Sequence, residues 1–140
     1  MPEVHLATSD GKIQDCFTVL KTLRLHLDQG AFLRSVKAMQ VEGYQLAYID
    51  SSMGVIAVAG FRISHNLFMG KNLYVDDLIT LESERSKGHG ENLLAFLRKL
   101  ALEEGCSTLH LDSGTHRGEA HKFYFKQGLR IASYHFSEAL

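Results

Sequence analysis

The chain reads Glu84-Arg85-Ser86-Lys87-Gly88-His89-Gly90-Glu91-Asn92-Leu93-Leu94 where a strand pattern gives way to a helix pattern. Glycine has no Cβ, so an anion can approach the backbone of such a loop closely. The first N–H groups of a helix have no partner within the helix, and they carry the positive end of its dipole. The stretch therefore predicts a phosphate-binding loop at the start of a helix, with a plain glycine-rich turn as the alternative.

Two common phosphate motifs do not fit this loop. A dinucleotide fingerprint requires GxGxxG, but Leu93 occupies the position of the third glycine. A Walker A loop requires GxxxxGK[ST], and the sequence contains no such pattern. The sequence therefore argues against a dinucleotide-binding oxidoreductase.

Upstream of the loop, the pattern predicts helices followed by strands. Apolar residues recur at helical spacing from Ile13 to Leu27, and Gly30 is placed to end that helix. A shorter helix is predicted from Phe32 to Met39. The period then becomes that of strands at residues 44–49, 55–63 and 72–80, of which the first two form a hairpin. A short strand around residues 4–6 precedes the first helix.

Downstream, the order strand, loop, helix, strand requires a crossover and a parallel pair. The crossover helix buries a stripe from Leu93 to Ala101 and ends at Gly105. A strand at residues 108–111, a helix at 119–127 and a final strand at 129–136 follow. We expect a single domain over residues 1–140 with an α/β fold, in which four helices pack on a mixed sheet of about six strands.

Three segments, in order, carry a resemblance to a known family. Arg85-Ser86-Lys87-Gly88-His89-Gly90 fits the pattern R/Q-x-x-G-x-G/A. Ala120-His121-Lys122-Phe123-Tyr124-Phe125-Lys126-Gln127-Gly128-Leu129 is similar to A-x-x-F-Y-x-x-x-G-F, and Tyr74-Val75-Asp76-Asp77-Leu78-Ile79-Thr80 is similar to the strand that precedes the loop. Over residues 46–136 the chain thus resembles the GNAT superfamily of N-acetyltransferases. Two motifs at the proper separation are far more specific than one.

The resemblance implies a site for acetyl-CoA. The strands at residues 73–80 and 108–112 would splay apart to admit the pantetheine arm, which would bond to strand backbone, while the loop amides would hold the pyrophosphate. Arg117 stands where many members have Asn, and either meets a cofactor phosphate or faces water. The implied cofactor-binding residues are Leu78, Ile79, Thr80, Arg85, Ser86, Lys87, Gly88, His89, Gly90, Glu91, Arg117 and Phe123.

Transfer to an amine requires a neutral amine, and Asp76 and Asp77 are the candidates to accept its proton. A lysine-like amine has a pKa of about 10.4, so its deprotonation at pH 7 costs roughly 4.6 kcal/mol. The resemblance places Asp76 at the position of the catalytic glutamate of some relatives. Adjacent strand residues face opposite sides unless a bulge intervenes, so the two acids should have different roles. The alternative is an acid paired with a nearby Lys or Arg, and two acids near the acceptor would favour a cationic amine.

Tyr124 resembles the family's general acid. A phenol with a pKa of about 10 can give its proton to a thiolate whose thiol pKa is about 8.5. The alternative is a core tyrosine beside Phe123. The predicted function is direct transfer of acetyl from acetyl-CoA to a primary amine of a small molecule or peptide. The rival is a non-catalytic acyl-CoA-binding sensor or interaction module, which would need neither Asp76 nor Tyr124.

Composition limits the other possibilities. The 140 residues carry a formal net charge of −1 without a basic stripe, which argues against a nucleic-acid partner. No apolar run approaches the roughly 20 residues of a membrane span, and the N-terminus lacks a signal pattern, so we expect no membrane association and a cytoplasmic location. Neither Cys16 and Cys106 nor the eight histidines form a metal-binding pattern. Few residues follow Gly128, so the last strand is lone or completed by a partner chain, which hints at a homodimer.

Overall fold

The computed structural model of the chain describes residues 2–140, and these form two compact units that meet in sequence between His110 and Leu111. The elements of the first unit are β1 (His5–Leu6), α1 (Asp10–Asp15), α2 (Phe17–Leu23), α3 (Gln29–Val41), β2 (Tyr44–Ser51), β3 (Gly54–Asn66), β4 (Gly70–Thr80) and α4 (His89–Glu103). Strand β5 (Thr108–Leu111) follows, and α5 (Gly118–Lys126) belongs to the second unit.

The sheet has five strands in the order β1-β2-β3-β4-β5, and β1 to β4 pair antiparallel. Strand β5 is joined to the beginning of β4, where the Ser107 amide donates to the Lys71 carbonyl at 2.9 Å. The connection between β4 and β5 runs through α4, as a parallel crossover requires. The predicted mixed α/β fold is confirmed, with five strands where about six were expected.

The first predicted helix is divided, and its predicted end is wrong. Cys16 separates α1 from α2, and α2 stops at Leu23. The Lys21 ammonium then donates to the carbonyls of Leu25 and Leu27, which folds the following segment back on α2. Gly30 lies inside the first turn of α3, because the Asp28 side chain accepts from the Ala31 amide at 3.0 Å and caps that helix.

Buried side chains lie on both faces of the sheet. Leu46 and Tyr48 of β2 pack in one apolar cluster with α1, α2 and α3, whereas the alternating Ala47 and Ile49 are buried outside that cluster. Helix α4 packs against β2, β3 and β4 and buries Leu93, Leu94, Leu97 and Ala101. Helices α2 and α4 thus both pack against β4, which carries the two candidate acids.

The predicted final strand at residues 129–136 is wrong. Residues 127–140 contain no helix or strand, and Ile131, Tyr134 and Phe136 are exposed. A strand exists only where a neighbour completes its hydrogen-bond ladder, and within Leu111–Leu140 this segment has none. Its completion by a partner chain stays a prediction.

Candidate active site

A β-bulge in β4 sets the geometry of the two acids. Gly60 of β3 pairs with Asp77, but the next residue, Phe61, pairs with Val75, so Asp76 has no residue opposite it. The extra residue bends the strand locally and re-aims its side chains. Adjacent strand residues face opposite sides of a sheet unless a bulge intervenes, and here a bulge does intervene. Asp76 and Asp77 therefore need not face opposite sides.

Asp76 is half-buried beside Arg62, whose Nε lies 3.3 Å from Oδ1 and 3.2 Å from Oδ2. Burial raises the pKa of the Asp76 carboxyl above its ordinary value, and the Arg62 charge offsets part of that rise. Arg62 is held in turn by the face of the Tyr44 ring, 5.5 Å from its centroid. Asp76 is thus an ionisable group in a partly desolvated position with one charged partner.

Both carboxylate oxygens of Asp77 accept hydrogen bonds. The Tyr44 hydroxyl donates to Oδ2 at 2.7 Å, and Arg24 Nε donates to Oδ1 at 3.0 Å. Arg24 Nη2 also donates to the Asp76 carbonyl at 2.9 Å. Burial, followed by the Asp77 charge, raises the pKa of Tyr44 well above its ordinary value, so the phenol stays a donor. Both acids are therefore paired with an arginine, Asp76 with Arg62 and Asp77 with Arg24, as the alternative interpretation of the sequence expected.

Gly60 makes room for this arrangement. A Cβ at Gly60 would overlap the Tyr44 hydroxyl and would lie 2.6 Å from both Tyr44 Cζ and Asp77 Oδ2. The sequence patterns do not single out Tyr44, Arg24 or Arg62 as site residues. The register of the β2–β3–β4 hairpins could have brought Tyr44 and Arg62 to Asp76 and Asp77, but no sequence signal links Arg24 to residues 52 and 53 positions away.

The predicted phosphate loop has left-handed backbone at two positions, Ser86 with φ 63° and Gly88 with φ 86°. Gly88 is the N-cap of α4, and a glycine offers no side chain that could accept from the first amides of that helix. Lys87 donates to Glu84 at 2.9 Å, which lowers the pKa of the Glu84 carboxyl. Arg85 is exposed. The loop thus presents two cationic side chains beside uncapped helix amides.

His89, one of the loop residues, has a buried ring. Its ring is 7% exposed, and within residues 2–140 neither ring nitrogen has a hydrogen-bond partner. The nearest acid is Glu84, with 3.7 Å between Nε2 and Oε2. The ring therefore packs beneath the loop.

Leu78, Ile79 and Thr80 pair through one edge of β4 with Ala59, Val58 and Ala57 of β3. The contacts that hold the beginning of β5 lie at the other end of β4. There His110 Nε2 is 2.8 Å from Asn72 Oδ1, while the Asn72 amide nitrogen donates to the carbonyls of Gly70 and Ser64. Because those bonds use the amide nitrogen, Oδ1 must accept and His110 Nε2 carries the proton.

The second unit contains Arg117, Phe123 and Tyr124. The rings of Phe123 and Tyr124 meet edge to face with centroids 5.5 Å apart, and the Tyr124 carbonyl accepts from the Leu129 amide. Burial raises the pKa of the Tyr124 phenol, and the Arg117 charge opposes that rise. Arg117 occupies the N-cap position of α5 without a side-chain cap bond.

Among residues 2–140 no three His, Cys, Asp or Glu side chains lie together in a way that could hold a metal ion. Across the same residues, the helices are all too short or too polar to span a membrane.

Comparison with known proteins shows that the chain is similar to acetyltransferases. The model of the Acetyltransferase (GNAT) family matches residues 14–129. The chain is 32% identical over 131 residues to "Uncharacterized N-acetyltransferase YhdJ" of Bacillus subtilis (strain 168), with 92% of each chain covered. It is 25% identical over 143 residues to the aminoalkylphosphonate N-acetyltransferase of Salmonella typhimurium (strain LT2), with 99% of this chain and 91% of the relative covered.

The fold is likewise similar to solved structures. One is AAC(6')-Iy in complex with the bisubstrate analog CoA-S-monomethyl-acetylneamine, with a TM-score of 0.87 at 14% identity. That match covers 100% of this chain and 98% of the other.

Proposed function

Because the chain belongs to the acetyltransferase (GNAT) family, we propose that it transfers acetyl from acetyl-CoA directly to the primary amine of a small molecule or peptide. The family resemblance from sequence is confirmed, and the relatives are named N-acetyltransferases, so the chain is an acyltransferase enzyme. The relative named for aminoalkylphosphonates supports a small amine as the acceptor.

The observation that carries the proposal is the uncapped start of α4. Its free amides, from Lys87 to Glu91, would bind the pyrophosphate, and Arg85 would add charge-assisted hydrogen bonds. A Cβ built at Gly88 meets no protein atom within 4 Å, so the space against that backbone is open. Lys87 would exchange its Glu84 partner for a phosphate oxygen. The residues present therefore fit a diphosphate.

The end of β4 would hold the acyl arm. Backbone groups of Leu78, Ile79 and Thr80 on the edge away from β3 would bond to the pantetheine amides as a neighbouring strand does. When bound, acetyl-CoA supplies a thioester with an electrophilic carbonyl carbon. An amide near Ile79 would bind the carbonyl oxygen and stabilise the charge that develops there. The family resemblance implies that Arg117 and Phe123 also contact the cofactor, and these contacts stay predictions.

Asp76 is the better candidate for the base that accepts the amine proton. Its raised pKa makes it a stronger proton acceptor than an exposed aspartate, while Arg62 favours its ionised form. Each oxygen of Asp77 accepts a separate hydrogen bond, from Tyr44 at 2.7 Å or from Arg24 at 3.0 Å. The oxygens of Asp76 instead share one longer contact with Arg62 Nε, at 3.2 and 3.3 Å. Asp77 is therefore the alternate base, and its bonds suit it to orient its neighbours.

Tyr124 would protonate the thiolate of the departing coenzyme. The raised pKa of its phenol keeps it protonated at neutral pH, as a proton donor must be. Mutation of a general acid typically lowers the rate by 10²–10⁴-fold.

An amine panel tests the function. Purified protein, acetyl-CoA and amino acids, aminophosphonates, polyamines, amino sugars and peptides are assayed one by one for release of free thiol. Release that depends on an amine, with the acetylated product seen by mass spectrometry, is the expected result. Tight coenzyme binding without amine-dependent release from any member would instead favour the non-catalytic module.

A further inference from the structure

The segment between α2 and α3 brings Arg24 to the two acids of the bulge. Arg24 donates from Nε to Asp77 Oδ1 and from Nη2 to the Asp76 carbonyl. These two bonds fix the plane of the guanidinium. The Lys21 ammonium, bonded to Leu27 O at 2.6 Å, holds the segment that carries Arg24. Arg24 is therefore a positioned cation at the candidate base, and the family match does not assign it a role.

Most N–H donors of the Arg24 guanidinium make no hydrogen bond within residues 2–140. Arginine has five N–H donors, and the bonds within residues 2–140 use two of Arg24's. The donors that remain include both of Nη1 and one of Nη2, which form the edge that binds a planar anion through two parallel bonds. The side chain is 45% exposed, so a ligand can reach it from solvent.

The charges around the bulge balance. Arg24 pairs with Asp77 and Arg62 pairs with Asp76, two positive charges against two negative ones. Glu42, the further acid near Arg62, lies 3.8 Å away and is largely exposed, so solvent screens it. A polyamine would find no uncompensated negative charge here. An acceptor that carries one amine and one acidic group would add no net charge.

We propose, on the basis of the proposed function, that Arg24 binds an acidic group of the acceptor, so that the natural acceptor is an amine that also bears a carboxylate or phosphonate. The acidic group lies against the Nη edge of Arg24. The amine then lies beside Asp76 and Asp77, to which Arg24 is bonded. Arg24 is thus a specificity-determining residue, and its charge selects the acceptor.

Matched acceptors test this inference. β-Alanine is compared with β-alaninamide, and 2-aminoethylphosphonate with 2-aminoethanol, and each rate is referred to the concentration of neutral amine because the amines differ in pKa. We expect kcat/KM to favour the acidic member by about 10–100-fold, as charge-assisted bidentate bonds do. The pair with the larger ratio identifies the carboxylate or the phosphonate as the better group.

Variants assign the preference to one side chain. Arg24→Ala should bring the ratio near 1, chiefly by raising KM for the acidic acceptor, while Arg24→Lys retains part of it because a point charge replaces the fork. Arg24→Gln, which loses the charge but keeps a donor for Asp77, replaces the alanine variant if that one does not fold. Arg34→Ala, on the exposed surface of α3, is the matched control and should keep the wild-type ratio.

Two results would overturn the inference while leaving the proposed function intact. One is a wild-type enzyme that acetylates both members of each pair within about twofold. The other is an acidic preference that survives in Arg24→Ala and Arg24→Gln. Failure of every amine to release free thiol would instead refute the proposed function, and this inference with it.

Discussion

Gly60→Ala is the substitution whose effect follows most directly from the geometry. The new methyl group would overlap the Tyr44 hydroxyl and press on Asp77 Oδ2, 2.6 Å away. Tyr44 is almost fully buried, so it cannot move aside freely. Overpacking of this kind costs about 1–3 kcal/mol, and loss of the Tyr44–Asp77 hydrogen bond about 1.5–3 kcal/mol more. The free energy of unfolding should fall by about 2.5–6 kcal/mol.

A second variant shows whether the loss of stability comes from the clash with Tyr44 or from any side chain at position 60. In a Tyr44→Leu background the obstructing hydroxyl and ring carbon are gone, and Asp77 is released from the tyrosine. Alanine is favoured over glycine within a strand by about 0.5–1 kcal/mol. Gly60→Ala should therefore cost less than about 1 kcal/mol in this background. The double-mutant cycle should show a coupling of at least about 1.5 kcal/mol.

Urea denaturation followed by far-ultraviolet circular dichroism measures these values, since the chain contains no tryptophan. Gly11→Ala in α1, where a Cβ meets no atom within 4 Å, is the control and should be neutral or stabilising. Equal losses from Gly60→Ala with and without Tyr44, or a single-variant loss below about 0.5 kcal/mol, would refute the packing argument.

The other predictions concern the chemistry. Tyr124→Phe should lower kcat by about 10²-fold or more without changing acetyl-CoA affinity, measured by thiol release and calorimetry; unchanged turnover would remove its role as acid. Gly88→Val should weaken acetyl-CoA binding about 5–30-fold, because a left-handed φ costs a side-chain-bearing residue about 1–2 kcal/mol; wild-type affinity by calorimetry contradicts this. If Asp76 is the base, its ionised form acts, so kcat/KM should rise with pH through a pKa above the ordinary aspartate value of 3.8. Asp76→Asn should abolish this rise. A pH profile of Asp76→Asn that matches the wild type would point to Asp77 as the base. Burial raises the pKa of Cys16 to about 12, so iodoacetamide at pH 8 should label one thiol per native chain and two after unfolding, counted by mass spectrometry.

The features that could be predicted from sequence are those that local chemistry determines. The strand, glycine loop and helix around residues 84–94 follow from periodicity and from the freedom of glycine, and the structure has them in that order. The prediction that Gly30 ends a helix is wrong because Asp28 is typical of a helix start and Gly30 of a helix end. The sequence alone does not decide which of the two residues sets the boundary. The strand at residues 129–136 has a suitable pattern, but strand formation depends on a neighbour that no local pattern reveals.

The site was predictable only in part, for a related reason. Asp76 and Asp77 were found through a motif, but their arginine partners come from β3 and from the segment after α2. Arg24 reaches the acids through the path of the chain between helices, where periodicity carries no information. The bulge that orients both acids is a property of the pairing of β3 with β4, and it leaves no residue type by which it could be recognised.

The bulge at Asp76 also inverts the inward and outward alternation of β4. Before it, Leu73 and Val75 are buried outside the cluster formed with α1, α2 and α3; after it, Ile79 belongs to that cluster, although all three positions are odd-numbered. Deleting residue 76 would therefore remove the bulge and leave a regular ladder, in which Val75 still pairs with Phe61 and Asp77 with Gly60. The side chains from Asp77 to Thr80 would stay in their present layers, whereas regular pairing of β4 with residue 76 retained would move each of them to the opposite layer of the protein.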